Sequence, residues 1–202
     1  MRNGQEQALD TLQEAARHCT ACPLYKNATQ TVFGEGSATA SLMLVGEQPG
    51  HEEDIEGRPF VGPAGRLLDD ALAAAGIDRD DAYVTNTVKH FKWTPRGRMR
   101  LHQKPNRTEV VSCLPWLQQE IELIRPRVLM PLGATAGQAL LGTDFRVTHD
   151  RGRRYESDLV PTIIPTIHPS AILRAANDRD RAFEALVNDL AIAAEWLRNG
   201  RD

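Results

Sequence analysis

The chain predicts a single α/β domain of three layers, with helices covering both faces of a central, mainly parallel sheet of four strands. Three observations carry this reading. Aliphatic runs at 42–45, 82–85, 127–132 and 162–167 are short and continuous, the pattern of strands buried on both faces. Helix-periodic segments alternate with them along most of the chain. Each run opens at its carboxyl end into Gly, Asn or His-Pro, the edge at which open α/β sheets bind ligands.

Composition sets the outer bounds. The 202 residues, 41% hydrophobic and 25% charged, suffice for one substantial core, so 1–202 reads as a single domain without repeats or long linkers. No apolar run approaches a membrane span, and Met1 to Asp10 lacks the apolar core of a secretory signal, so the cytoplasm is the expected compartment. Three cysteines, an odd number in a reducing compartment, argue against a disulfide framework and for a metal or cluster. A net charge of -3 excludes a globally basic protein, so any affinity for nucleic acid has to be local.

In chain order, Ala8, Leu12, Ala15 and Ala16 give an amphipathic helix over Gln5 to His18. It leads into Cys19-Thr20-Ala21-Cys22, a spacing that suits zinc, an iron-sulfur centre or redox chemistry equally, and also arises by accident. The run Leu42 to Val45 ends in Gly46-Glu47-Gln48-Pro49-Gly50, which aims one carboxylate and one amide from a loop with little steric obstruction. An ordinary turn with a solvated Glu47 leaves the same pattern. The Gly/Pro loop Glu56 to Gly65 holds Phe60 either as a stacking platform or as a core plug, before a helix over Arg66 to Ala75 stopped at Gly76. Ala82 to Thr85 is a strand ending at Asn86, whose amide can read a base edge or merely cap a turn.

The most informative polar stretch is Lys89 to Arg107. It contains Lys89, Lys92, Arg96, Arg98, Arg100, Lys104 and Arg107, interleaved with Phe91 and Trp93, and no acidic residue. It reads as a loop that tracks a phosphate backbone and offers rings for stacking. His102 within it is expected to be neutral among cations, and a neutral imidazole is a potential nucleophile. Asn106 and Glu109 form a capping box for a helix over Thr108 to Ile124 that carries Cys113 and is interrupted by Pro115. A third strand exits at Gly133, followed by a helix over Ala134 to Leu141. Phe145 to Asp158 reads as a hairpin or extended excursion with solvent-facing arginines. The strand 162–167 opens into His168-Pro169-Ser170, where the proline holds the histidine in place, and Ala171-Ile172-Leu173 reads as an apolar wedge. The last helix, Arg179 to Arg198, buries Phe183, Leu186, Val187, Leu190, Ala194 and Leu197.

Taken together, Gly46-Glu47-Gln48-Pro49-Gly50, Phe60-Val61-Gly62-Pro63, Val84-Thr85-Asn86 and His168-Pro169-Ser170 resemble the uracil-DNA glycosylase superfamily in its iron-sulfur branch. The resemblance covers nearly the whole chain and is nearest the UdgX type, which has Gln in the first motif and a basic loop ending in histidine. That loop usually reads Lys-Arg-Arg-Ile-His and here reads Arg98-Met99-Arg100-Leu101-His102, losing one cation and keeping the histidine.

The resemblance implies cluster ligands Cys19, Cys22, His90 and Cys113 around a structural [4Fe-4S] centre; the donor chemistry alone suits zinc as well. It implies a monomer acting on uracil-containing DNA, single strands preferred. The uracil is flipped onto Phe60 and read by Asn86, with Gly46, Gln48 and Ser170 also contacting it. Lys89, Arg98, Arg100, Arg107 and Arg174 are the expected phosphate contacts. His168 and backbone N–H groups near Gln48 stabilise the leaving uracil anion. Glu47 and His102 then act together: His102 attacks the sugar carbon and remains bonded to it, so each molecule acts once. Two alternatives accompany this reading, a multiple-turnover glycosylase in which Glu47 positions water, and a cluster-bearing DNA-binding module without chemistry.

Overall fold

A computed structural model describes residues 2–199. The four main strands are β1 (Leu42–Gly46), β2 (Ala82–Asn86), β5 (Val128–Pro131) and β6 (Thr162–Ile163), all parallel, in the order β2-β1-β5-β6. A separate antiparallel pair, β3 (Trp93–Arg96) and β4 (Met99–His102), stands apart from this sheet. The helices are α1 (Arg2–Arg17), α2 (His51–Glu56), α3 (Pro63–Ala74), α4 (Arg107–Ile124), α5 (Gly133–Leu141), α6 (Val147–Asp150), α7 (Pro169–Arg174) and α8 (Arg179–Asn199). No described helix is long and apolar enough to cross a membrane.

The strands point alternate residues into two cores, which is why their sequences are continuously aliphatic. Leu42, Leu44, Val84, Val128 and Met130 meet Leu68 and Leu72 of α3, Ile172 of α7 and Leu186 and Leu190 of α8. Met43, Val45, Tyr83 and Leu129 meet Leu117, Ile121 and Ile124 of α4 and Ala136 of α5. These are the two outer layers of the predicted sandwich. After β2 the chain crosses to the other side of β1, so the switch in strand order falls between β1 and β5. A crevice therefore opens at their carboxyl ends.

Several local expectations are corrected. The basic stretch is a β-hairpin with Gly97 and Arg98 at its tip, Gly97 taking the left-handed φ of 61° that a two-residue hairpin turn requires. Helix α4 runs through Pro115, because the carbonyl deprived of its donor lies on an exposed face. Segment 145–158 contains the helical turn α6, and only Tyr155 pairs in antiparallel fashion, with Ile163. Its Arg151 is not left to solvent but pairs with Asp189 of α8 at 2.8 Å. Ile172 of α7 is fully buried in the core, so the supposed wedge exposes only Ala171 and Leu173. Pro165 interrupts the last strand, although the amides of Ile164 and Thr166 still donate to Leu129 and Pro131 at 3.0 Å.

Candidate active site

The crevice at the sheet's carboxyl edge is a cavity of about 720 Å³. Each strand contributes from its end: Glu47 and Gln48 follow β1, Asn86 closes β2, Leu132 to Thr135 follow β5, and His168 and Ser170 follow β6. Phe60, His102 and Arg174 also line it, so the residues expected to act on or hold the base, all but Gly46, share one cavity.

Its floor depends on close packing around Gly46. A methyl group there would stand 2.3 Å from Asn86 Oδ1 and 2.7 Å from Phe60 Cζ, so glycine lets the amide and the ring converge. Phe60 adopts φ 56° and stacks its ring against His168, with centroids 6.1 Å apart and planes inclined by 28°. Glu53 of α2 ties the two loops together: its carboxylate accepts from Gly50 N at 3.0 Å and from Gly62 N at 2.8 Å. Phe60 is thus both a buried plug and a wall of the cavity.

The tautomer of His168 follows from its contacts. Its Nδ1 accepts from Ser170 N at 3.1 Å, so the neutral ring carries its proton on Nε2. Ser170 Oγ lies 2.8 Å from the same Nδ1, and Ser170 also lines the cavity. Burial, helped by the charges of Arg174 and His102, lowers the His168 pKa from 6.5 to about 4. Because the unfolded chain binds this proton below about 6.5 and the folded chain does not, the stability that this ring contributes is complete above that pH and is lost as pH drops toward about 4. Urea unfolding on either side of this window should show a smaller acid loss in His168→Phe than in the parent.

His102 sits at the end of β4, its side chain half exposed, with Nε2 3.6 Å from Glu47 Oε1. Its pKa is lowered, as expected, but chiefly by burial; Glu47 opposes the shift and only Arg174 among the cations contributes to it. The other Glu47 oxygen, Oε2, accepts a short hydrogen bond from Thr135 Oγ1, a residue no sequence signal had marked.

The hairpin that carries His102 is braced from within. Gln48 donates from Nε2 to the carbonyls of Lys92 and Gln103, at 3.2 and 3.0 Å, and accepts from Lys92 N at 3.2 Å. Its side-chain amide is therefore engaged with the hairpin base, while Gln48 still lines the cavity. Arg100 bonds to Asp54 Oδ2 at 2.5 Å and His51 Nδ1 at 2.9 Å and lies over the rings of Phe91 and Trp93. It anchors the hairpin and is not available as a phosphate contact.

Lys89 is the clearest correction. It is fully buried, with Nζ 2.5 Å from Glu120 Oε2, 2.6 Å from Thr85 Oγ1 and 2.8 Å from the Asn86 carbonyl. It cannot reach DNA. The basic stretch contains no acid, but Glu120, Glu109 and Asp54 from other segments neutralise Lys89, Lys92 and Arg100. Arg96, Arg98, Lys104 and Arg107 remain exposed, as does Arg174.

The cysteines lie behind this network. Cys22 and Cys113 are buried together with Val88 and Leu24, and Cys19 is close enough for its charge to raise the pKa of both. Cys19 Sγ accepts from Trp116 Nε1 at 3.1 Å and Cys113 Sγ from Lys89 N at 3.2 Å. Burial pushes the Cys113 thiol up to about 11, with the charge and the amide of Lys89 opposing the shift only in part. His90 is buried and biased toward the neutral form; Nε2 meets Thr31 Oγ1 at 3.0 Å, while Nδ1 has no hydrogen-bond partner. A neutral imidazole with one orphaned nitrogen and three thiols fits the donor set of a metal centre. Among the described residues, no three His, Cys, Asp or Glu side chains are gathered tightly enough to hold a single metal ion.

A parallel α/β domain with a carboxylate, an amide and two imidazoles facing an aromatic ring at its topological switch point has the layout of an enzyme pocket for a flat polar ligand. The Uracil DNA glycosylase superfamily profile matches residues 33–191. The Type-4 uracil-DNA glycosylase of Thermotoga maritima is 40% identical over 195 residues, covering 96% of this chain and 97% of its own. That of Pyrobaculum aerophilum is 38% identical, covering 82% and 85% respectively. That of Archaeoglobus fulgidus is 35% identical over 83% and 84%. The chain belongs to the uracil-DNA glycosylase superfamily.

Proposed function

We propose that the protein excises uracil from DNA and that His102 becomes bonded to the sugar left behind. The observation that carries the second part is the 3.6 Å approach of His102 Nε2 to Glu47 Oε1 inside the same cavity as Asn86, Phe60 and His168.

The flipped uracil stacks on Phe60, and Asn86 reads its edge with one donor and one acceptor. As the N-glycosidic bond breaks, its electron pair leaves with uracil and positive charge grows on the sugar. The His168 Nε2–H donates to that anion, an interaction strongest once the charge has formed. The His102 lone pair forms the new bond to the sugar carbon, Glu47 stabilises the resulting imidazolium, and the proton it sheds neutralises the uracil. Exposed Arg98, Lys104, Arg107 and Arg174 hold the DNA backbone.

Cys19, Cys22, His90 and Cys113 would hold a [4Fe-4S] cluster, with zinc the lesser alternative. When bound, the cluster would supply a structural link between α1 and the segment leading to the hairpin. Hydrogen bonds to two of the sulfurs and the orphaned His90 Nδ1 support this assignment.

A second reading is a multiple-turnover hydrolase in which Glu47 positions water. The shared identity with relatives named Type-4 uracil-DNA glycosylases favours it. Both readings require uracil release from a uracil-containing single strand and none from the thymine control. Failure to release uracil would overturn both.

A further inference from the structure

We infer that Thr135 is a positioning residue for Glu47, fixing through its hydroxyl which carboxylate oxygen faces His102. This rests on the reading of Glu47 and His102 as partners in the reaction.

Glu47 lies just beyond β1 in a loop containing Pro49 and Gly50, and its side chain remains 22% exposed. A carboxylate so placed can rotate and exchange its oxygens unless a second contact holds it. Thr135 supplies that contact from the first turn of α5: Oγ1–H donates to Oε2, leaving Oε1 toward His102 Nε2. The two oxygens thereby take different tasks.

The donor is itself rigidly placed. Leu132 N donates to Val45 O at 2.8 Å, two residues before Glu47, and Gly133 N donates to Thr166 O at 2.8 Å. These bonds put the start of α5 and the end of β1 in one frame. Thr135 is only 7% exposed, and its β-branched side chain has few rotamers. The amino-terminal end of α5 adds a favourable field for the anion. A hydroxyl donor to a carboxylate is a strong, directional bond in a site partly shielded from water.

Thr135→Val keeps the shape and removes the donor; Thr135→Ser keeps the donor. Uracil release should be measured in single turnover at saturating oligonucleotide, with oligonucleotide affinity and thermal unfolding recorded separately and Glu47→Gln alongside. Thr135→Val is expected to slow release about 10- to 100-fold with affinity unchanged, and Thr135→Ser to recover most of the rate. Parental rate in Thr135→Val with a slow Glu47→Gln would overturn the role of Thr135 alone. Equal losses in the Val and Ser variants would mean packing rather than hydrogen bonding and would overturn it too. Parental rate in Glu47→Gln would remove the reading of Glu47 on which the inference rests.

Discussion

Replacing Lys89 by methionine is expected to destabilise the fold by about 3–5 kcal/mol, measured as a shift in the urea unfolding midpoint. Lys89 and Glu120 are both fully buried, and Nζ lies 2.5 Å from Oε2. Removing the cation leaves Glu120 as an uncompensated charge in the protein interior. Its remaining donors, Tyr83 Oη at 2.9 Å, Thr85 Oγ1 at 2.9 Å and Gly34 N at 3.1 Å, are neutral and cannot replace an ammonium. Adding Glu120→Met to Lys89→Met should recover part of the loss, since the stranded charge disappears while Tyr83 and Gly34 still lack an acceptor. A destabilisation below about 1 kcal/mol in the single variant would contradict this account of the pair.

The second large effect is catalytic. His168→Ala is expected to lower single-turnover uracil release by about 10²- to 10³-fold, the usual cost of removing one donor to a developing anion. The ring is neutral at physiological pH and its tautomer is fixed by the Ser170 amide, so the lost group is specifically an Nε2–H donor. His168→Gln retains an amide donor and should lie between the two. Ring loss also removes the neighbour of Phe60, so oligonucleotide affinity has to be followed separately. If affinity falls and the rate at saturation does not, His168 acts in binding and not on the leaving group.

Features written in short-range pattern were legible in the sequence. The continuous aliphatics of β1 and β2 located the sheet, and their carboxyl ends located Glu47 and Asn86. The capping box appears as expected, with Glu109 N donating to Asn106 Oδ1 at 2.9 Å and Asn106 N to Glu109 Oε2 at 2.7 Å. Helices α2 and α7 were missed because six residues are too few to show a helical period. Bonds from other segments hold α2, such as the Gly62 amide donating to Glu53 and the Thr29 amide donating to Asp54.

Long-range pairing was not legible. The cations of 89–107 looked alike in sequence, yet their fates depend on acids far along the chain. Glu120 claims Lys89, Asp54 claims Arg100, and Arg98 is left in solvent. The two-residue turn at Gly97-Arg98 was a readable hairpin signal, obscured by the density of charge around it. Thr135 carried no motif at all; only the meeting of α5 with the β1 loop gives it a partner.

The most direct measurement is the intact mass, under denaturing conditions, of the protein incubated with a single strand containing one uracil. A species equal to protein plus oligonucleotide minus uracil, absent from His102→Ala, is the predicted result. Free strand bearing an abasic site in excess over enzyme, with no adduct, would contradict it and leave a hydrolytic glycosylase of ordinary turnover.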